Sequence, residues 1–169
     1  MVVVTILGIL TAMIIPEMKG SYQDALLRSA SRDLINVFDL TYSRAVSLNQ
    51  TRRFRLDEKT GRYLVEKQIY ENGQENFVPV NDVGCAGTVN SKITVAFHRP
   101  DEKPVAPGDQ TAAPKTDEQP RPEGATIAFY PDGTADPGTL ELTDPDGFRL
   151  ALKINPITAR SHVEEMERK

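Results

Sequence analysis

Apolar residues are dense at the start of this chain, helically spaced through its first third, and alternating after residue 50. Residues 2–15 read Val-Val-Val-Thr-Ile-Leu-Gly-Ile-Leu-Thr-Ala-Met-Ile-Ile with no charge, and Pro16, Glu17 and Lys19 follow. The run is shorter than the roughly 20 helical residues that cross a hydrocarbon core. No basic residue precedes it, and Ile15-Pro16-Glu17-Met18 lacks the small-residue site of a cleaved signal peptide. A retained helix whose beginning lies upstream is therefore expected. From Tyr22 the apolar positions are Tyr22, Leu26, Ala30, Leu34, Phe38, Ala45 and Leu48, with Leu27, Ile35, Tyr42 and Val46 beside them. Spacings of three and four place them on one helical face, with Asp24, Arg28, Arg32, Asp39 and Arg44 largely opposite. Asn49 is a natural stop. Pro16 costs one backbone hydrogen bond and bends the rod rather than ending it. A helix from Val2 to Leu48 is about 70 Å long at roughly 1.5 Å per residue, so one half needs lipid or a multi-subunit bundle to bury it.

Beyond residue 50 the period becomes two. Arg53-Phe54-Arg55-Leu56 and Tyr63-Leu64-Val65 read as a hairpin around Asp57–Gly61. Phe77-Val78-Pro79-Val80 reads as an edge strand because of its proline. Lys92–Phe97, Ala125–Tyr130, Thr139–Leu142 and Phe148–Ile154 are further strands, with Phe148, Leu150, Leu152 and Ile154 facing a core. Pro131-Asp132-Gly133 and Asp144-Pro145-Asp146-Gly147 are turns, where proline presets φ and glycine supplies a positive φ. Residues 100–124 hold six prolines among polar residues. Such a composition buries too little surface to offset ordering entropy, so a mobile loop is expected there. The fold class is α+β: a long N-terminal, membrane-inserting helix, then an antiparallel β domain, sheet or sandwich. The division is 1–20 (apolar half of the helix), 21–50 (amphipathic half) and 51–169 (β domain with the loop 100–124).

Charge adds exclusions rather than a site. Among 169 residues there are 20 Lys and Arg against 24 Asp and Glu, a formal net charge of −4, which gives no general basic stripe for nucleic acid. The single cysteine, Cys85, makes no internal disulfide and reads as a small buried apolar residue.

The run Val2–Pro16, with Gly8 near its middle and Pro16 near its end, resembles the N-terminal helix of type IV pilins and type II secretion pseudopilins. In those chains Gly-Phe-Thr-Leu-x-Glu precedes the apolar run. Phe129-Tyr130-Pro131-Asp132-Gly133-Thr134 and Ile154-Asn155-Pro156-Ile157-Thr158-Ala159-Arg160 resemble the C-terminal β region of the GspH/FimT subgroup, with Ala159 where glycine is usual. The resemblance covers roughly residues 1–50 and 125–163. It implies a pilin-like fold and a structural minor pseudopilin, not an enzyme, that aids filament initiation or tip assembly for export across the outer membrane. It also implies an inner-membrane location, single-pass, with the β domain in the periplasm. Expected partners are other pseudopilins, the inner-membrane assembly platform, membrane lipid and, if the true start lies upstream, a prepilin peptidase. No cofactor is implied. In that reading Val2, Val3, Val4, Ile6, Leu7, Gly8, Ile9, Leu10, Ile14, Ile15 and Pro16 lie in membrane or filament core. Gly8 permits close helix approach or is simply tolerated in lipid. Leu26, Leu34, Phe38 and Tyr42 pack the helix on the domain, and Phe129, Pro131, Asp132 and Gly133 form the family-like turn. The alternatives are a FimT-like type IV minor pilin that binds DNA for uptake and a membrane-anchored periplasmic domain that never polymerises.

Catalytic signatures are not found. His98 and His162 are the only histidines and have no metal-ligand spacing. No phosphate loop or nucleophile elbow occurs. The acids of 132–146 sit where turns prefer Asp; a Ca²⁺ site there requires converging oxygens, and no metal is expected. Arg44, Arg52, Arg53 and Arg55 form a small basic group, read as a solvated face or as a candidate DNA contact.

Overall fold

The computed structural model describes the backbone of residues 2–71, 73–99 and 125–166, with side chains from residue 22 onward within them. Among the described residues one helix, α1 (Val2–Ser47), precedes nine strands: β1 (Arg52–Leu56), β2 (Arg62–Glu71), β3 (Gln74–Pro79), β4 (Ala86–Thr88), β5 (Thr94–His98), β6 (Ala125–Phe129), β7 (Gly138–Thr143), β8 (Arg149–Ile154) and β9 (Ser161–Met166). All described pairings are antiparallel. They build a first sheet in the order β3-β2-β1-β6, with β4 also on β2, and a second in the order β5-β7-β8-β9.

The helix is unbroken through Pro16. Its end follows from local chemistry. Asn49 adopts φ +48, the left-handed conformation that Asn tolerates better than most residues. This lets the Gln50 amide reach the Ala45 carbonyl at 3.0 Å and the Asn49 amide reach Val46 at 3.3 Å. That pattern satisfies carbonyls which a helix end otherwise leaves unpaired.

The helix touches both sheets, meeting β1 and β6 of the first and β7, β8 and β9 of the second. Its buried positions are Leu27, Ala30, Ser31, Leu34, Val37, Phe38, Thr41 and Ala45, a seam at intervals of three and four. The two polar members bond inside the helix: Thr41 Oγ1 donates to the Val37 carbonyl (2.6 Å) and Ser31 Oγ to that of Arg28 (2.9 Å), so their burial leaves no hydroxyl unsatisfied. Phe38 meets Phe54 edge-on at 4.9 Å between centroids and lies 6.1 Å from Phe129. The second sheet contributes Leu140, Leu142, Leu150, Leu152 and Ile154.

Several expectations change. Tyr22 (59 % exposed), Val46 (42 %) and Leu48 (59 %) are not on the buried face. Tyr22 lies one turn before the first buried position, with Lys92 Nζ 5.8 Å from its ring. Val46 sits one step off the seam after Ala45, and Leu48 follows the helix end. Two strands went unread: β4, three residues long, and β9. The edge position expected for the Pro79 strand holds for β3. The tract 100–124, expected to be a mobile loop, lies outside the described residues. So do the side chains of Val2 to Pro16.

Candidate functional site

The helix-to-domain contact is built by the helix's C-terminal half. Leu34 and Phe38 are fully buried within it; Tyr42 packs partly against the core. Leu26 is half-buried and edges a groove of about 260 Å³ between α1 and the β2–β4 side, with Ala30, Leu34, Tyr63 and Val89 also lining it. Gly87 of β4 faces Tyr63 so closely that a Cβ there would lie 2.3 Å from the tyrosine oxygen, so a larger residue requires the Tyr63 ring to move.

The crossover between sheets is a tightly bonded turn. Phe129 ends β6 fully buried and bridges Ala135. Pro131, Asp132 and Gly133 reverse the chain. Gly133 has φ +88, and its amide donates to the Tyr130 carbonyl (3.1 Å), while the Tyr130 amide donates to Thr134 (2.9 Å). Asp132 Oδ1 accepts from the Thr134 hydroxyl (2.7 Å) and amide (3.0 Å). Those bonds hold its carboxyl below the usual carboxylate range, the hydroxyl contributing most. Asp136 accepts from the Ala128 amide (3.2 Å) and the Tyr130 hydroxyl (3.0 Å). Burial first, and the Asp136 charge second, push the Tyr130 phenol up to about 12. The Ala135 amide donates to the Pro156 carbonyl (2.9 Å), tying this turn to the β8–β9 turn. There Asn155 Oδ1 accepts from the Ile157 amide (2.9 Å). Ala159 adopts φ +52, the conformation that favours the glycine it replaces. Both acids of the crossover are thus engaged in local hydrogen bonds rather than aimed at a shared point.

The four arginines do not share one face. Arg44 on α1 pairs with Asp82, and its Nη1 lies 3.6 Å from Cys85 Sγ. Burial pushes the buried Cys85 thiol up, against the pull of Arg44. Arg53 and Arg55 point to the outer face of the first sheet and converge on Glu66, which is 4 % exposed. Arg53 Nε donates to Glu66 Oε2 at 2.7 Å, with the guanidinium 3.9 Å over the Phe77 ring. Arg52 points inward and is 4 % exposed. His98 lies 3.4 Å from Glu141, and His162 lies 3.3 Å from Glu164. Among the described residues no three His, Cys, Asp or Glu side chains are placed to hold a metal, and no helix is long and apolar enough to cross a membrane. Sequence reasoning missed the Arg28–Glu165 ion pair (2.7 Å) that ties β9 to the helix, for which no local pattern gives a signal. It also missed the inward aim of Arg52, which alternation with Phe54 and Leu56 does signal.

Residues 30–158, more than half of the chain, match the family described as Type II transport protein GspH. No curated protein sequence matches significantly. Solved structures share the fold. The minor pseudopilin EpsH from the type 2 secretion system of Vibrio cholerae has 13% identity and a TM-score of 0.52, over 82% of this chain and 93% of that one. GspH of E. coli has 12% identity and a TM-score of 0.54, over 85% and 89%. The type IV minor pilin FimU of Pseudomonas aeruginosa has 12% identity and a TM-score of 0.52, over 83% and 98%.

Proposed function

The chain belongs to the GspH family of type II transport proteins, and from that premise we propose that it is a structural minor pseudopilin that helps initiate or cap a short secretion filament. One observation carries the proposal. Helix α1 runs unbroken for 46 residues, about 69 Å at 1.5 Å per residue, whereas a β domain of this size is about 35 Å across. Among the described side chains the seam that meets the domain begins at Leu27, and the chain before it includes the uncharged sequence Val2–Ile15. A helix with one apolar half beyond its own domain needs a second apolar environment. Lipid of the inner membrane supplies that before assembly, and neighbouring subunits' helices supply it afterwards. The β domain then lies in the periplasm, and the partners are other pseudopilins and the inner-membrane assembly platform.

Cysteine crosslinking in native membranes tests this. With Cys85→Ser as background, Ile9→Cys should form disulfides with cysteines placed in other pilin-like subunits, and deletion of the protein should reduce secretion. A chain that stays monomeric while secretion is unchanged would leave only an anchored periplasmic domain. The likeness to FimU favours, as a second reading, a subunit of a type IV pilus. Salt-dependent DNA binding by the whole protein would turn it toward uptake, and salt-independent or absent binding would turn it away.

A further inference from the structure

Arg52 opens β1, and its side chain shares the inner face of the first sheet with Phe54 and Leu56, the residues that meet the helix. It is 4 % exposed, and its Nε and Nη1 are buried with no hydrogen-bond partner. A guanidinium has only donors and keeps its charge at any physiological pH, so burying two of its three nitrogens without an acceptor is unfavourable. Its cross-strand partners on that face are Lys67 on β2 and Phe129 on β6. Like charges directly opposite each other destabilise a sheet. Among the described residues no acid pairs with Arg52 or Lys67. Glu66 faces the other side of the sheet, where Arg53 and Arg55 engage it, and Asp82 is held by Arg44. Asp144, whose Oδ2 is also buried without a partner, belongs to the β7–β8 turn of the second sheet. Among the described residues Arg52 and Lys67 are therefore paired across the strands with no ion pair to either.

We propose that Arg52 and Lys67, beside the C-terminal end of α1, form a binding site for a carboxylate. The planar guanidinium fork suits a two-oxygen acceptor, and Lys67 supplies a second positive charge across the strand pair. The carboxylate comes either from a free small acid or from an acidic side chain of another protein subunit. Both present the same group to the fork. The site does not depend on filament assembly, because the test uses the isolated protein.

The test uses the full chain in detergent at constant ionic strength, with acetate, a blocked Gly-Glu-Gly peptide or inorganic phosphate replacing chloride. Acetate or the peptide should raise Tm progressively, by about 8 °C at a hundredfold excess over Kd, and should move the Arg52 Nε–H resonance in the wild-type protein. Arg52→Met should melt no lower than wild type in chloride and show no carboxylate response. Lys67→Met should weaken the response several-fold. Peptide binding at least tenfold tighter than acetate assigns the site to a partner's acidic side chain; equal affinities assign it to a free acid. A wild-type Tm and Arg52 resonance indifferent to both carboxylates overturn the proposal, as does a larger response to phosphate than to acetate.

Discussion

The two sheets bury the same helix with different chemistry. The first adds the rings of Phe54, Phe129 and Tyr63 to its aliphatic Leu56, Val65 and Ile127, and the helix answers with one fully buried ring, Phe38, set edge-on to Phe54. The second presents Leu140, Leu142, Leu150, Leu152 and Ile154, aliphatic side chains that share the contact among many small surfaces. An aromatic contact has preferred geometry and concentrates area in one residue, whereas an aliphatic layer redistributes more easily after a loss. The first sheet should therefore be brittle under substitution and the second tolerant. Phe38→Ala should lower unfolding free energy by about 3–5 kcal/mol, and Leu152→Ala by about 2–4 kcal/mol, both read by urea denaturation. A larger cost for Leu152→Ala would invert the comparison.

Ion pairs extend the contrast. Glu66, whose side chain is 6% exposed, holds Arg53 on the outer face of the first sheet. Glu141 of the second sheet holds Arg149 at 3.1 Å and is 17% exposed. Neutralising a buried partner leaves the opposing charge uncompensated, so Glu66→Gln should cost about 3 kcal/mol. Glu141→Gln, whose partners reach water, should cost under about 1 kcal/mol. Equal losses in equilibrium unfolding would mean that burial does not separate the two sites.

The crossover between the sheets and the β8–β9 turn within the second sheet differ as well. The crossover has a glycine where φ is positive, but the β8–β9 turn has Ala159, 3 % exposed at φ +52. A β-branched side chain there meets both backbone strain and a packed site, so Ala159→Val should cost about 2 kcal/mol. Ala159→Gly should change stability by less than about 1 kcal/mol, since relief of strain offsets the lost methyl. A smaller effect belongs to Tyr130, whose folded pKa of about 12 stands above the usual 10.0. A raised acid pKa means the folded state favours the neutral phenol. That contribution is complete below pH 10 and is lost as pH rises through about 12. Ultraviolet titration should show Tyr130 ionising well above the usual 10.0, and Asp136→Asn should bring its titration down. Unchanged titration in that variant would remove Asp136 as a cause.

How far the fold was legible follows the same physics. Strands with one face on the core, such as β1, β7 and β8, alternate and were readable, as was the seam through Leu34 and Phe38. β9 was not: its residues 162–166 are all exposed, and backbone pairing to β8 leaves no hydrophobic period. β4 is three residues long, and its defining feature, Gly87 beneath Tyr63, is a long-range contact. The far end of β2 and the start of β3, where Tyr70 pairs with Glu75 and Glu71 with Gln74, form a polar ribbon with the same lack of pattern. The arginines are more instructive. Reading Arg52, Arg53 and Arg55 as one basic group follows composition, but a strand's period of two separates Arg52 from the others. Positional parity carried the information that residue type concealed.

The smallest effect tests why the polar edge strand stays in place. Arg28 Nη2 lies 2.7 Å from Glu165 Oε1, with side chains 50% and 54% exposed. A pair so wet contributes little to global stability, so Arg28→Ala should leave the denaturation midpoint almost unchanged. Its influence should be local. β9 is an edge strand, held by the β8 ladder, by the Lys153–Glu164 ion pair to β8 and by the Arg28 pair to the helix. Edge segments open by sub-global fluctuation rather than by global unfolding. Hydrogen exchange at Val163 and Glu165 should therefore quicken about twofold in Arg28→Ala, with Leu150 and Leu152 of β8 unaffected, and salt near 1 M should quicken it at least as much in the wild type by screening this pair and Lys153–Glu164 together. Acceleration that spreads into β8 would show that the ion pair holds the sheet's packing. Exchange indifferent to both the substitution and salt would show that backbone pairing alone retains the strand.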